Sequence, residues 1–124
     1  MKQRLIRLAA GLDPDDVVVR GGELDPVVLR DDALRNHSIY GCFGLSVFSA
    51  RGITIDELAQ RPPLVRFEVL ILVTVAELRS LGLRLEATGR NPRHYDITFD
   101  ELEAGVAALC SCERRIVINP YYEH

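Results

Sequence analysis

Val65-Arg66-Phe67-Glu68-Val69-Leu70-Ile71-Leu72-Val73, followed at once by Thr74-Val75-Ala76-Glu77-Leu78-Arg79-Ser80-Leu81-Gly82, is the stretch on which the fold turns. The first half is apolar almost throughout and far shorter than the roughly 20 residues a membrane helix needs, so it reads as a strand over residues 65–73, central in a sheet. The second half places Thr74 and Glu77 at capping-box spacing, which opens a short helix over residues 75–81 that Gly82 closes. A buried strand running straight into a capped helix makes this an α+β chain.

Moving upstream, Thr54-Ile55-Asp56-Glu57 is a capping box for a helix that Arg61-Pro62-Pro63 ends, and Leu45-Ser46-Val47-Phe48-Ser49-Ala50 alternates as a strand does. In that strand Ser46 and Phe48 share one face, and Leu45, Val47 and Ser49 share the other. Asp25 before Pro26 starts a helix that carries Val28, Leu29, Ala33 and Leu34 through about residue 36, with His37 to Gly44 as a shaped loop. Val17-Val18-Val19-Arg20-Gly21-Gly22 is a β-branched strand that stops on a charge and two glycines. Residues 1–11 are basic and then apolar but interrupted by Arg7, too short for a signal peptide, and read as a short helix of a cytoplasmic protein.

Downstream, residues 83–87 form a short strand leading into Thr88-Gly89-Arg90-Asn91-Pro92-Arg93-His94-Tyr95-Asp96-Ile97-Thr98-Phe99, a turn followed by a half-buried alternating strand. Thr98 and Glu101 are spaced as a third capping box, before a helix whose buried stripe is Leu102, Val106 and Leu109, and Arg114 to Ile118 is a last strand. The near-identical words Ile53-Thr54-Ile55-Asp56-Glu57-Leu58 and Ile97-Thr98-Phe99-Asp100-Glu101-Leu102 read as the same capping solution used twice, because their flanks do not match. The sum is one globular domain over residues 1–124, with five or six short strands in a mixed or mainly antiparallel sheet and three or four helices.

At 124 residues and 48% hydrophobic the chain can bury a core of its own. Its formal charge of −3 excludes a global basic surface of the kind nonspecific nucleic-acid binding uses. Cationic chemistry is instead local, and 14 of the 15 basic residues are arginine, the better fork for phosphate or carboxylate. Three cysteines, with Cys110 and Cys112 two apart, match neither a disulfide framework nor a zinc spacing, so no metal is expected.

Candidate chemistry gathers at strand ends. Arg20 at the end of the first strand can be aimed into a cleft, with Gly21 allowing close approach to the backbone. Arg93, His94 and Tyr95 stand at the entrance of a later strand, with His37 in the loop before the Ser46 strand. The plainer reading makes Arg20 a salt-bridged strand end and His94 a turn histidine bonded to a backbone carbonyl.

The order of a strand ending in Arg20-Gly21-Gly22, a helix, and a strand carrying Gly44-Leu45-Ser46-Val47-Phe48 resembles the small ADP-ribosyltransferase-like toxins of bacterial toxin-antitoxin systems, over residues 17 to 50. The resemblance implies NAD as cofactor, with Arg20 binding its phosphate or ribose and Ser46 bracing the pocket. It also implies a cognate antitoxin protein as partner. The family's catalytic glutamate has no clear counterpart here, Glu68, Glu86 and Glu123 being the candidates, and His94-Tyr95 resembles the pair some members place around nicotinamide, in a different chain order.

Two further readings stand beside it. His37, His94, Arg93 and Tyr95 offer by type the base, acid and cation of a metal-independent endoribonuclease acting on RNA. A noncatalytic protein-interaction module would instead use the Tyr121-Tyr122 tail and the apolar strand as an interface, with a second copy of the chain as one partner.

Overall fold

The computed structural model describes residues Met1–His124. In chain order the elements are β1 (Val17–Gly21), α1 (Pro26–Tyr40), β2 (Phe43–Ser49), α2 (Ile55–Ala59), a 3₁₀ turn (Leu64–Arg66), β3 (Val69–Thr74), α3 (Val75–Ser80), β4 (Arg84–Ala87), β5 (His94–Phe99), α4 (Leu102–Ser111) and β6 (Arg115–Ile118). The six strands make one sheet in the order β4-β5-β2-β1-β3-β6, and every neighbouring pair is antiparallel. The expected α+β class is therefore correct, and the sheet is antiparallel throughout.

Strand alternation sends side chains to both faces, and both faces are covered. Val18, Leu45, Val47, Ile71, Val73, Ile97 and Phe99 meet Leu29 and Ala33 of α1 and Val106 and Leu109 of α4 in the larger core. Val19, Phe48, Leu70 and Leu72 point the other way, onto Leu58 and Ala59 of α2 and Leu64. A sheet sandwiched in this way explains why β3 is apolar without alternation. Gly105 lets α4 settle on the sheet, because a Cβ there would collide with the Phe99 ring.

The helix starts obey cap chemistry. Asp25 accepts from the backbone N–H groups of Val27 and Val28, and Thr54 and Thr74 accept from the N–H of Glu57 and of Glu77 at 3.1 and 3.2 Å.

Several expectations fail for identifiable reasons. Thr98 does not cap α4. It stays in the β5 ladder opposite Gly44 and Arg84, and the residue in the capping position, Glu101, makes no side-chain cap bond. The repeated word is thus a helix start once and a strand end once. Residues 37–40 continue α1 rather than forming a loop, since the stop signal is Gly41, left-handed at φ 81°, whose N–H donates to the His37 carbonyl. β3 begins at Val69 because Leu64–Arg66 is wound into the 3₁₀ turn, and β3 lies beside β1 one place from the sheet edge rather than at its centre.

Residues 1–8 are extended rather than helical. Arg7 N–H donates to the Ala87 carbonyl and Gly89 N–H to the Leu5 carbonyl, so Ile6 bridges Thr88 and the segment runs along the β4–β5 turn. β5 is also buried on both faces rather than one, with Asp96 at 2% and Thr98 at 4% exposure, and Arg4 of this segment pairs with Asp96. Tyr121 is not a free tail residue either, since it packs against the smaller core and its hydroxyl donates to Asp56.

Candidate functional site

β1 and β2 pair at only two positions, Val18 with Ser49 and Val19 with Phe48, whereas β1 pairs with β3 at five and β2 with β5 at six. Beyond Val19 the two central strands part. Arg20 lies in the gap, where its Nη1 donates to the Ser46 carbonyl at 3.1 Å and its Nη2 to Asp32 of α1 at 2.7 Å. The guanidinium so takes over an acceptor in β2 that a backbone donor of β1 would serve in a closed sheet.

The split opens a cleft of about 640 Å³, the larger of the two main cavities. Its floor is Gly44, Ser46 and Phe48 of β2, one wall is the end of β1 from Arg20 to Glu23, and the roof is Pro63, Leu64 and Phe67. The other wall is a single stripe of α1, residues 28, 32, 35, 36 and 39, at the spacing of one helix face. Arg20 and Arg35 both pair with Asp32, and Glu23 and Asp25 stand nearby, so carboxylates outnumber guanidiniums in the lining. An anion that takes Arg20 Nη2 has to displace Asp32 from it.

Ser46 connects this cleft to a polar chain under the sheet. Ser46, His94 and Asp96 share a face of β2 and β5, because Ser46 is in register with Asp96 and Phe48 with His94. His94 Nε2 is 3.0 Å from Ser46 Oγ, and its Nδ1 is 2.9 Å from the Thr88 carbonyl. A carbonyl only accepts, so Nδ1 carries the proton, with Thr88 Oγ1 also 3.0 Å from it, and in the neutral ring Nε2 is left to accept from the Ser46 hydroxyl. Thr88 Oγ1 donates to Asp96 at 3.0 Å, and Asp96 is bonded in turn by Arg4 at 2.8 Å. Phe48 contacts the imidazole edge-on at 5.3 Å between ring centroids, which fixes the ring plane. His94 therefore bonds a backbone carbonyl, as the plain reading has it, and a serine hydroxyl as well.

The structure does not gather the other candidates there. Tyr95 points to the opposite face, buried in the larger core with Arg7 over its ring. The Arg93 guanidinium is spent on the carbonyls of Ser49 and Arg51 at 3.1 and 2.7 Å. His37 stacks on Phe43 at 4.6 Å and lines a separate cavity of about 200 Å³, together with Glu86. Gly21 borders the cleft, but the space its missing side chain leaves is filled by Phe67. Glu68 and Glu123 are outside the cleft lining, whose one glutamate is Glu23.

Residues that the sequence reading passed over are Asp32, Asn36, Glu23, Thr88, Asp96 and Arg4. The helical spacing of 28, 32, 36 and 39 was a visible signal for the first two. The last three are brought together by the extended N-terminal segment, for which the sequence offered no sign. Cys42 and Cys112 are free thiols, and burial pushes both above the ordinary thiol range, which keeps them neutral and poor nucleophiles.

No protein-family model, curated protein or solved structure matches the chain. None of its helices is long and apolar enough to cross a membrane.

Proposed function

We propose that the cleft between β1 and β2 binds a nucleotide of the NAD type and that the chain is a cytoplasmic, toxin-like ADP-ribosyl transferase. The observation that carries this reading is the meeting of Arg20 and Ser46, from the first two strands, at one cleft large enough for most of a dinucleotide. In this reading Arg20 turns from Asp32 to a ligand phosphate, Ser46 braces the ribose end, and Glu23 is the acid within reach. Three free thiols suit a reducing compartment. The ribonuclease reading has less support, since Tyr95 and His37 lie away from His94.

Thermal denaturation with millimolar NAD tests the reading, because a ligand that binds only the native state raises the melting temperature by mass action. Wild type should be stabilised, Arg20→Ala should not, and Asp32→Asn, which frees Arg20, should gain more than wild type. No shift for wild type or Asp32→Asn, with RNA cleavage that falls steeply with salt, would move the assignment to the ribonuclease.

A second reading, a partner-binding module, is favoured by the open edge of β6. There Ile116 and Ile118 are 60% and 69% exposed on a strand that pairs only with β3.

A further inference from the structure

We infer that Ser46 is an activated nucleophile with His94 as its general base, and that the cleft carries an acyl-transfer activity on small uncharged esters. This does not depend on nucleotide binding. The warrant is the geometry of three consecutive bonds. Ser46 Oγ lies 3.0 Å from His94 Nε2 and donates to it in the neutral ring, His94 Nδ1 donates to the Thr88 carbonyl at 2.9 Å, and Thr88 Oγ1 donates to buried Asp96 at 3.0 Å. A nucleophile within reach of a base that a third group orients is the arrangement serine chemistry needs.

The plainer account, a histidine that only ties two strands together, leaves two features unexplained. A purely structural imidazole needs no exposed hydroxyl as its second partner, yet Ser46 is the exposed residue of an otherwise buried strand centre and sits on the floor of the cleft. Asp96 lies buried with its Oδ1 unpartnered and 4.0 Å from His94 Nε2, too far to bond. That carboxylate is placed to stabilise an imidazolium that forms when Nε2 takes a proton.

The step balances without a co-reactant other than water. Ser46 Oγ attacks the ester carbonyl carbon, its proton passes to His94 Nε2, and the bond from carbon to the leaving oxygen breaks as that oxygen receives the same proton. Water then attacks the acyl-serine, its proton again taken by Nε2, and the acid departs as Oγ is reprotonated. The apolar side chains of Val28 and Ile39 on the α1 wall and of Phe67 in the roof suit an uncharged alkyl or aryl acyl group.

The test uses the full chain with an alkyl fluorophosphonate and with p-nitrophenyl acetate, read by intact mass and peptide mapping. One adduct should form at Ser46 while Ser80 and Ser111, whose hydroxyls donate to helix carbonyls, stay unmodified as internal controls. Ser46→Ala should give no adduct, and His94→Gln should label at least about 100-fold more slowly with an unchanged melting temperature. Labelling of Ser46 no faster than Ser80 or Ser111, or His94→Gln at the wild-type rate, would overturn the inference. If His94→Gln does not fold, the comparison of serines within the wild-type chain decides alone.

Discussion

Asp96 shows how one buried charge organises a corner of this molecule. It is 2% exposed, and its carboxylate has two sources of compensation, the Arg4 guanidinium and the Thr88 hydroxyl. The pair is asymmetric, because Arg4 is still partly open to water while Asp96 is not. Removing Arg4 strands a buried carboxylate, whereas removing the charge on Asp96 leaves a guanidinium that can turn to solvent. Arg4→Ala should therefore cost about 3 kcal/mol, the scale for breaking a buried pair from the side that leaves an unpaired charge, and Asp96→Asn distinctly less. Urea denaturation of the two variants checks the order, and equal or reversed costs would mean that Asp96 is hydrated rather than held by Arg4.

Among the elements, the contrast between Thr74 and Thr98 separates a cap from its imitation. Thr74 accepts from the Glu77 N–H at the start of α3, so Thr74→Ala should cost about 1 kcal/mol. Thr98 carries the same spacing to Glu101 but remains a strand residue, and its hydroxyl is buried without a partner. Thr98→Val replaces that hydroxyl by a methyl of similar shape and should be neutral or stabilising by up to about 1 kcal/mol. A loss near 1 kcal/mol on chemical denaturation would mean that Thr98 does cap α4 in solution. The spacing from threonine to glutamate is the same in both places. Thr74 is also the last residue of a strand, but it pairs with β1 alone, whereas Thr98 is held between two flanking strands, β2 and β4.

For the whole molecule, the sheet has two edges of different character. β4 ends the sheet with the charged residues Arg84 and Glu86, with Arg84 paired to Asp100. β6 ends it with exposed Ile116 and Ile118, two residues apart on one face. An apolar edge strand with free backbone donors is a template for another strand, and a second copy can satisfy it by two-fold pairing of β6 with β6. Sedimentation velocity over rising concentration should show a dimer that Ile118→Lys abolishes while leaving the melting temperature within a degree or two. A monomer at all concentrations would refute self-pairing at this edge.

Legible in the residues alone were a strand over 17–22 and another through Tyr95, Ile97 and Phe99, each within a residue of the observed bounds, together with the caps at Asp25, Thr54 and Thr74, the buried stripe of α4 and the α+β class. Each follows from local chemistry: β-branched runs, side-chain oxygens two or three residues ahead of free N–H groups, and helical periodicity. The sequence also marked Arg20 and His94 as polar residues at strand ends beside turn-forming residues, but Ser46, expected at a strand end as well, sits in the middle of β2. Tertiary structure decided what no local rule reaches. The N-terminal segment is extended because Arg4 and Arg7 find partners on Asp96 and Thr88, more than 80 residues away. The cleft exists because β1 and β2 cease to pair after two registers, a property of how two strands diverge rather than of either strand alone. Pleat parity sent Tyr95 into the core and His94 to Ser46, so neighbours in the chain became residents of opposite faces. Hydrogen bonds between strands obey register, and register is fixed only when the whole sheet closes over its cores.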